Sequence, residues 1–262
     1  MMPLRGVVAL GLSGVVFSMS AAGAEGAPAT PRHEACATER AEVFVPAGRY
    51  QSFYKRARPG GPVRVAPMCL GATPVTQTEY LEFVREHPEW RKSRATKLFA
   101  EDSYLSDWQD DLTPPADAAS KPVTFVSWFA AGAFCESRGA RLPKVAEWER
   151  FAGAPAPATA QRTSAAGATP FEFAMGTPAA DLAATPLKLA GIWEWTSDFN
   201  SAVVSGRIGN AQDSDQGLFC GAGFRAVDPS NYGAFLRYSF RSSLRGDFAL
   251  RNLGFRCTRE AS

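Results

Sequence analysis

Arg141-Leu142-Pro143-Lys144-Val145-Ala146-Glu147-Trp148-Glu149, then Gly191-Ile192-Trp193-Glu194-Trp195-Thr196-Ser197-Asp198, then Asn252-Leu253-Gly254-Phe255-Arg256-Cys257: the reading of these three stretches decides the fold. Each alone is a weak signal, and the information lies in their order and separation. The first stretch predicts a helix after Pro143, a residue suited to a first helical turn, with Val145, Trp148 and Ala152 on its inner face. The last contributes to a strand expected over residues 253–258.

Working outward, Ser127 can cap a helix running from Trp128 to about Ser137. Trp128, Ala131, Phe134 and Cys135 form its buried side, and Gly139 ends it in the position that favours a left-handed residue. Upstream, Thr76-Gln77-Thr78-Glu79 has capping-box spacing. The helix it opens places Tyr80, Phe83 and Val84 on one face and stops before Pro88. Residues 43–48 read as a strand ending in a turn, and residues 62–70 as a second strand after the Pro59-Gly60-Gly61 turn. Further short strands are expected over residues 219–223 and 235–241. Residues 90–112 carry Arg91, Lys92, Arg94 and Lys97, then Glu101, Asp102, Asp107, Asp110 and Asp111. They read as a solvated surface excursion, with a docking patch for a protein partner as the sharper alternative. Residues 154–169 are alanine, proline, threonine and glycine, the composition of a mobile loop.

The first 24 of the 262 residues read as a signal peptide. Arg5 is the positive start, residues 6–17 are apolar but too short to span a bilayer, and Ala22-Gly23-Ala24 is a small-x-small cleavage site. Residues 25–40 look like a flexible lead-in and residues 41–262 like one domain. The expected location is therefore periplasmic or secreted, with no membrane association after cleavage. A net charge of +2 gives no strong pull toward nucleic acid or anionic membrane. Abundant glycine, proline and tryptophan with scarce helical periodicity imply a loop-rich α+β domain. Five cysteines permit disulfides in an exported chain, and the odd count leaves at least one free or paired with another molecule. The two histidines, His33 and His87, cannot build a three-histidine metal site.

The three stretches, with Pro46-Ala47-Gly48, Thr73-Pro74-Val75-Thr76, Glu79-Tyr80, Pro122-Val123 and Val126-Ser127-Trp128, resemble the formylglycine-generating-enzyme (sulfatase-modifying factor) superfamily across most of residues 43–258. The insertion over residues 88–108, with Asp198-Phe199-Asn200-Ser201 and Phe240-Arg241-Ser242-Ser243, looks closer to the branch that serves nitrite-reductase systems. The resemblance implies a single mixed α/β domain with little regular structure, related to the C-type lectin fold. It implies a disulfide between Cys135 and Cys257. Cys36, Cys69 and Cys220 then allow one further bond in three pairings, with a reactive or copper-binding Cys220 as the functional alternative. In the superfamily the Trp193-Glu194-Trp195 indoles pack in the core, and the Glu194 carboxylate has to be held by hydrogen bonds or a bound cation.

The chemistry implied for the superfamily is oxidation of a sulfatase cysteine by copper held on two thiolates, since soft sulfur selects Cu(I). Here those positions fall on Asp228 and Gly233, and a nearby family serine falls on Arg225. Ala190-Gly191 replaces the family's Gly-Asn and removes an amide oxygen from its calcium site. Lys144-Val145 replaces a Thr-Glu pair, so the helix that follows is expected to lose its cap, at a cost of about 1 kcal/mol. No catalytic or metal-ligating residue is assigned and no cofactor is expected; copper and calcium are the two ions the resemblance would admit. Arg225, Asp228, Tyr232, Arg237 and Arg241 are the candidate groove residues, suited to a peptide or acidic group. Structural ion pairs are the competing reading for each. The expected function is an exported accessory or maturation factor for a periplasmic redox metalloenzyme, binding a protein or peptide. The alternative is an oxidative modifying enzyme with a non-standard metal site built from Cys220 or from carboxylates such as Asp228 and Glu194.

Overall fold

The Thr76 capping box forms as its spacing requires. In the computed structural model the Thr76 hydroxyl accepts from the Glu79 amide at 3.3 Å, and the Glu79 carboxylate accepts from the Thr76 amide at 2.7 Å. This opens helix α1 (Gln77–Glu86), which buries Tyr80, Phe83 and Val84 and gives way to a 3-10 turn at Pro88. Helix α2 (Trp128–Ser137) starts where the Ser127 hydroxyl accepts from the Ala130 amide. Gly139 follows it at φ +64°, the left-handed conformation that glycine adopts without Cβ strain. Helix α3 (Val145–Ala152) follows Pro143, and helix α4 is Tyr232–Ser242. The structure describes Cys36 and residues 41–50, 62–152, 191–200 and 232–261, with the first four residues of α4 described by backbone alone. All lie within the unit His33–Ser262.

The strands are short. β1 (Glu42–Val45), β4 (Met68–Gly71) and β7 (Thr258–Glu260) form one antiparallel sheet with β4 central. β2 (Gly48–Tyr50) pairs with β3 (Val63–Val65), and β5 (Trp193–Glu194) lies parallel to β6 (Leu253–Gly254). The strand expected over 62–70 is therefore two strands, separated at Ala66-Pro67, where proline has no N–H to offer a ladder. The strand expected over 253–258 likewise divides into β6 and β7. Residues 219–223 lie outside the described residues. The result is a loop-rich, mixed α/β architecture, as its composition implied. Among the described residues no helix is long and apolar enough to cross a membrane.

Two expectations are corrected. Residues 235–241 are not a strand but most of α4. Their aromatic residues favoured strand by composition, yet Arg237 and Arg241 are both buried, and it is the i, i+4 spacing of a helix that puts them together. Residues 90–112 are more than a solvated excursion, because Ala100, Tyr104, Leu105 and Trp108 are buried in the main core. The Tyr80 hydroxyl donates to that of Tyr104 at 2.7 Å, which donates to the Trp90 carbonyl at 2.8 Å. The Trp108 indole donates to Gln77 at 2.7 Å. Between these anchors most of the charged residues meet water, and so do Leu98, Phe99 and Leu112.

Cys135 on α2 is bonded to Cys257 beside β7, the pairing that the resemblance implied. Of the three pairings left open by the sequence, the bond is Cys36–Cys69. Cys220 lies outside the described residues. Disulfides fit a chain that folds in an oxidising compartment. The Cys135–Cys257 bond closes a loop across a sequence separation of 122, so a Cys135→Ser/Cys257→Ser variant is expected to lose on the order of 4–5 kcal/mol in chemical denaturation.

Candidate functional site

The three diagnostic stretches converge on one buried carboxylate. Glu194 on β5 is fully buried and accepts two hydrogen bonds from Arg256, Nε to Oε2 at 2.6 Å and Nη2 to Oε1 at 2.7 Å. Trp148 of α3 donates its indole N–H to the same Oε2 at 3.0 Å. The Arg256 guanidinium lies 4.7 Å from the Phe151 ring centroid and donates to the Gly71 carbonyl at 3.0 Å. The cation holding Glu194 is thus Arg256, and both carboxylate oxygens are occupied. Glu194 is not available as the metal-binding carboxylate that the enzyme reading invoked. Gly254 lets the backbone at Val123 pack closely against β6, since a Cβ there would sit 2.6 Å from the Val123 carbonyl oxygen.

The start of α3 is capped in a way its own sequence does not show. Lys144 was expected to leave it uncapped. Instead Asp198, from the second stretch, accepts from the Val145 amide at 2.7 Å, and Glu147 accepts from the Lys144 amide at 2.7 Å. Glu147 is in turn held bidentately by Arg141, both contacts at 2.7 Å. Burial pushes Asp198 above the usual aspartate range, countered in part by the Val145 amide.

The other side of α3 carries Glu149, whose carboxylate is nearly inaccessible. Arg237 donates to it from Nε at 3.0 Å and Nη2 at 2.7 Å, and Arg241 from Nη1 at 2.8 Å. The same two guanidinium groups lie 5.5 and 5.0 Å from the Trp148 ring centroid. Burial alone would raise the Glu149 carboxyl, but the charges of Arg237 and Arg241 outweigh it and hold the group below the usual range. Helix α3 is therefore buried nearly all round, not only along Val145, Trp148 and Ala152 as expected, and its interior acids are neutralised by arginines, Glu149 by Arg237 and Arg241 of α4 and Glu147 by Arg141.

Arg237 and Arg241 are thus brought together, on the interior face of α4 and in contact with Glu149. Tyr232 opens α4, and nothing beyond its backbone is described. Arg225 and Asp228 lie outside the described residues. Gly233 stands in the first turn of α4. Among the described residues there is no group of three His, Cys, Asp or Glu side chains placed to hold a metal. Sequence reasoning missed Glu149, which is 88 positions from Arg237. The only available signal was a pair of arginines at helical spacing with no acid on their own helix.

A family model described as the Sulfatase-modifying factor enzyme 1-like domain matches residues 27–185. That match contains α1 to α3 and ends before β5, so the ion pairs of Glu194 and Glu149 tie the rest of the described chain to it. The chain is 30% identical over 145 residues to the mouse (Mus musculus) protein described as "Inactive C-alpha-formylglycine-generating enzyme 2", covering 43% of this chain and 47% of that one. It is 31% identical over 140 residues to the bovine (Bos taurus) protein of the same description, covering 41% and 46%. The chain spans about half the length of the curated relatives it matches. Among solved structures, that of PvdO from Pseudomonas aeruginosa is similar with a TM-score of 0.36 and 17% identity, over 84% of this chain and 94% of that one.

Replacing Glu149 by glutamine leaves two buried guanidinium groups without a counter-charge, and should cost about 3–5 kcal/mol in urea unfolding at neutral pH. A depressed folded-state carboxyl contributes stability above its unfolded value, near the ordinary glutamate value of 4.5, and loses it as pH falls through the folded value. The gap between wild type and Glu149→Gln should therefore narrow steadily as unfolding is measured below about pH 4.5.

Proposed function

Because the chain belongs to the sulfatase-modifying factor enzyme 1-like family, we propose that it is an exported, non-catalytic member, acting as an accessory or maturation factor for a periplasmic redox metalloenzyme. The resemblance of its insertion makes a nitrite-reductase system the first client to test. On this reading the mixed α/β domain is of formylglycine-generating-enzyme type and C-type-lectin-like. Its partner is a protein or peptide, received at a groove bordered by Arg225, Asp228 and Tyr232.

One observation carries the reading. Four of the five cysteines are joined as Cys36–Cys69 and Cys135–Cys257, which leaves only Cys220. A copper site of the family type needs two thiolates from one chain. The residues present do not fit that ion, because its two positions fall on Asp228 and on Gly233 at the start of α4. The relatives described as inactive support the same reading. So does the use of Arg237, Arg241 and Glu194 in holding α3, which leaves them no free charge for a reaction.

Thiol titration of the denatured, unreduced protein should give one thiol per chain or none; three or more would show an open disulfide and reinstate a two-thiolate site. Incubated with Cu(I), oxygen and a sulfatase peptide carrying the target cysteine, the protein should leave the peptide mass unchanged. In a host with the gene deleted, activity of the client metalloenzyme should fall and be restored by the wild-type gene. Unchanged client activity would remove the accessory role. Stoichiometric copper or iron, lost in Cys220→Ser, would favour the alternative of an oxidative modifying enzyme.

A further inference from the structure

Beside α2 lies a cavity of about 380 Å3 lined by Trp90, Phe99, Trp128 and Phe129, with Gly132 and Glu136 from the same helix. The rings brace one another. Phe99 meets Phe129 at a centroid distance of 5.1 Å, and Trp128 meets Phe129 at 5.2 Å with planes 81° apart. The Trp128 indole is fixed by its hydrogen bond to the Thr196 carbonyl at 3.0 Å. Three features indicate what this space would hold. First, the Glu136 side chain is exposed and has no hydrogen-bond or ion-pair partner among the described residues. Second, the cation among the described lining residues, Arg141, is held bidentately by Glu147, with Glu260 and Asp198 near enough to act on it, so its charge is offset and does not repel a second cation strongly. Third, Gly132 stands within α2 although a Cβ there would meet nothing within 4 Å. Alanine would favour the helix by up to about 1 kcal/mol, so no packing demand explains the glycine; what it provides is room in the cavity.

We propose that this cavity receives a cationic side chain, arginine or lysine, from a segment of a partner polypeptide. Aromatic rings attract a cation through their electron-rich faces, four such rings line this space, and Glu136 supplies the opposite charge. A polypeptide fits better than a small amine because the apolar surface continues. Leu98 and Phe99 are 72% and 39% exposed, and a second hollow that shares Phe129 is bordered by Leu98, Phe199 and Leu244, with Lys97, Arg245 and Asp247 also on its lining. Residues flanking the cation would rest there. The inference deepens the accessory reading, on which it rests for the existence of a protein partner.

The probe is an acetylated leucine-arginine-leucine amide, titrated into the purified protein and followed by tryptophan fluorescence and calorimetry. Its counterpart carries citrulline, a neutral isostere, in place of arginine. The arginine peptide should bind at least roughly fivefold more tightly than the citrulline peptide, and Glu136→Gln should remove most of that difference. Gly132→Leu should abolish binding while the melting temperature stays level or rises. Equal binding of the two peptides, unaltered binding in Gly132→Leu, or no binding of the arginine peptide at millimolar concentration would each overturn the proposal. Peptide binding with no effect of gene deletion on a metalloenzyme would remove the accessory role and leave the cavity's assignment standing; the reverse result would do the opposite.

Discussion

The fold depends on a carboxylate and a guanidinium that have no water to fall back on. Glu194 and Arg256 are both fully buried, and each would be prohibitively costly to leave charged and alone in that setting. Their bidentate pair, with the Trp148 indole as third partner, joins residues that are 46 and 62 positions from Glu194. Sheet structure is too sparse to do this, since β5 and β6 are two residues each. In a domain with so few ladder hydrogen bonds, buried polar contacts select which loops lie against which. The second such cluster, Glu149 with Arg237 and Arg241, repeats the device beside the first, with Trp148 in contact with both.

How much of this was legible in the sequence varied with the range of the interaction. Local features were. The Thr76 box, the Ser127 cap and the left-handed Gly139 all follow from side chains acting within four residues, and all are present. The Cys135–Cys257 bond was legible through resemblance, not through geometry. Long-range compensation was not. Nothing within residues 141–149 indicates that Asp198 would cap α3 in place of a local residue, nor that Glu149 would be neutralised from α4. The misreading of residues 235–241 has the same origin. Periodicity counting treats arginine as solvent-facing, and here the arginines are the buried residues. Of the candidate groove residues, Arg237 and Arg241 are placed in the interior, while Arg225 and Asp228 lie outside the described residues.

On the proposed reading, a fold of this family is kept without its copper site. The residues that organise the scaffold, Trp148, Glu194, Arg256, Cys135 and Cys257, are separate from the positions that would hold the ion. Asp228 and Gly233 stand, on that reading, where the family's two copper cysteines would be, and the ion pairs of Glu194 and Glu149 are made by other residues. The fold can be kept for its shape, with binding surfaces such as the aromatic cavity beside α2 free to take on a different partner.

The two disulfides also define a covalent topology of their own. Cys36–Cys69 spans every backbone bond between those positions, and Cys135–Cys257 spans every bond from 135 to 257, including residues 153–190 and 201–231. A protease that cut once inside either ring would release no fragment. The nicked molecule would run as a single species until reduced, its segments still in register across the sheet. Wherever such a molecule meets hydrolases, breakage of the backbone and loss of the molecule become separate events.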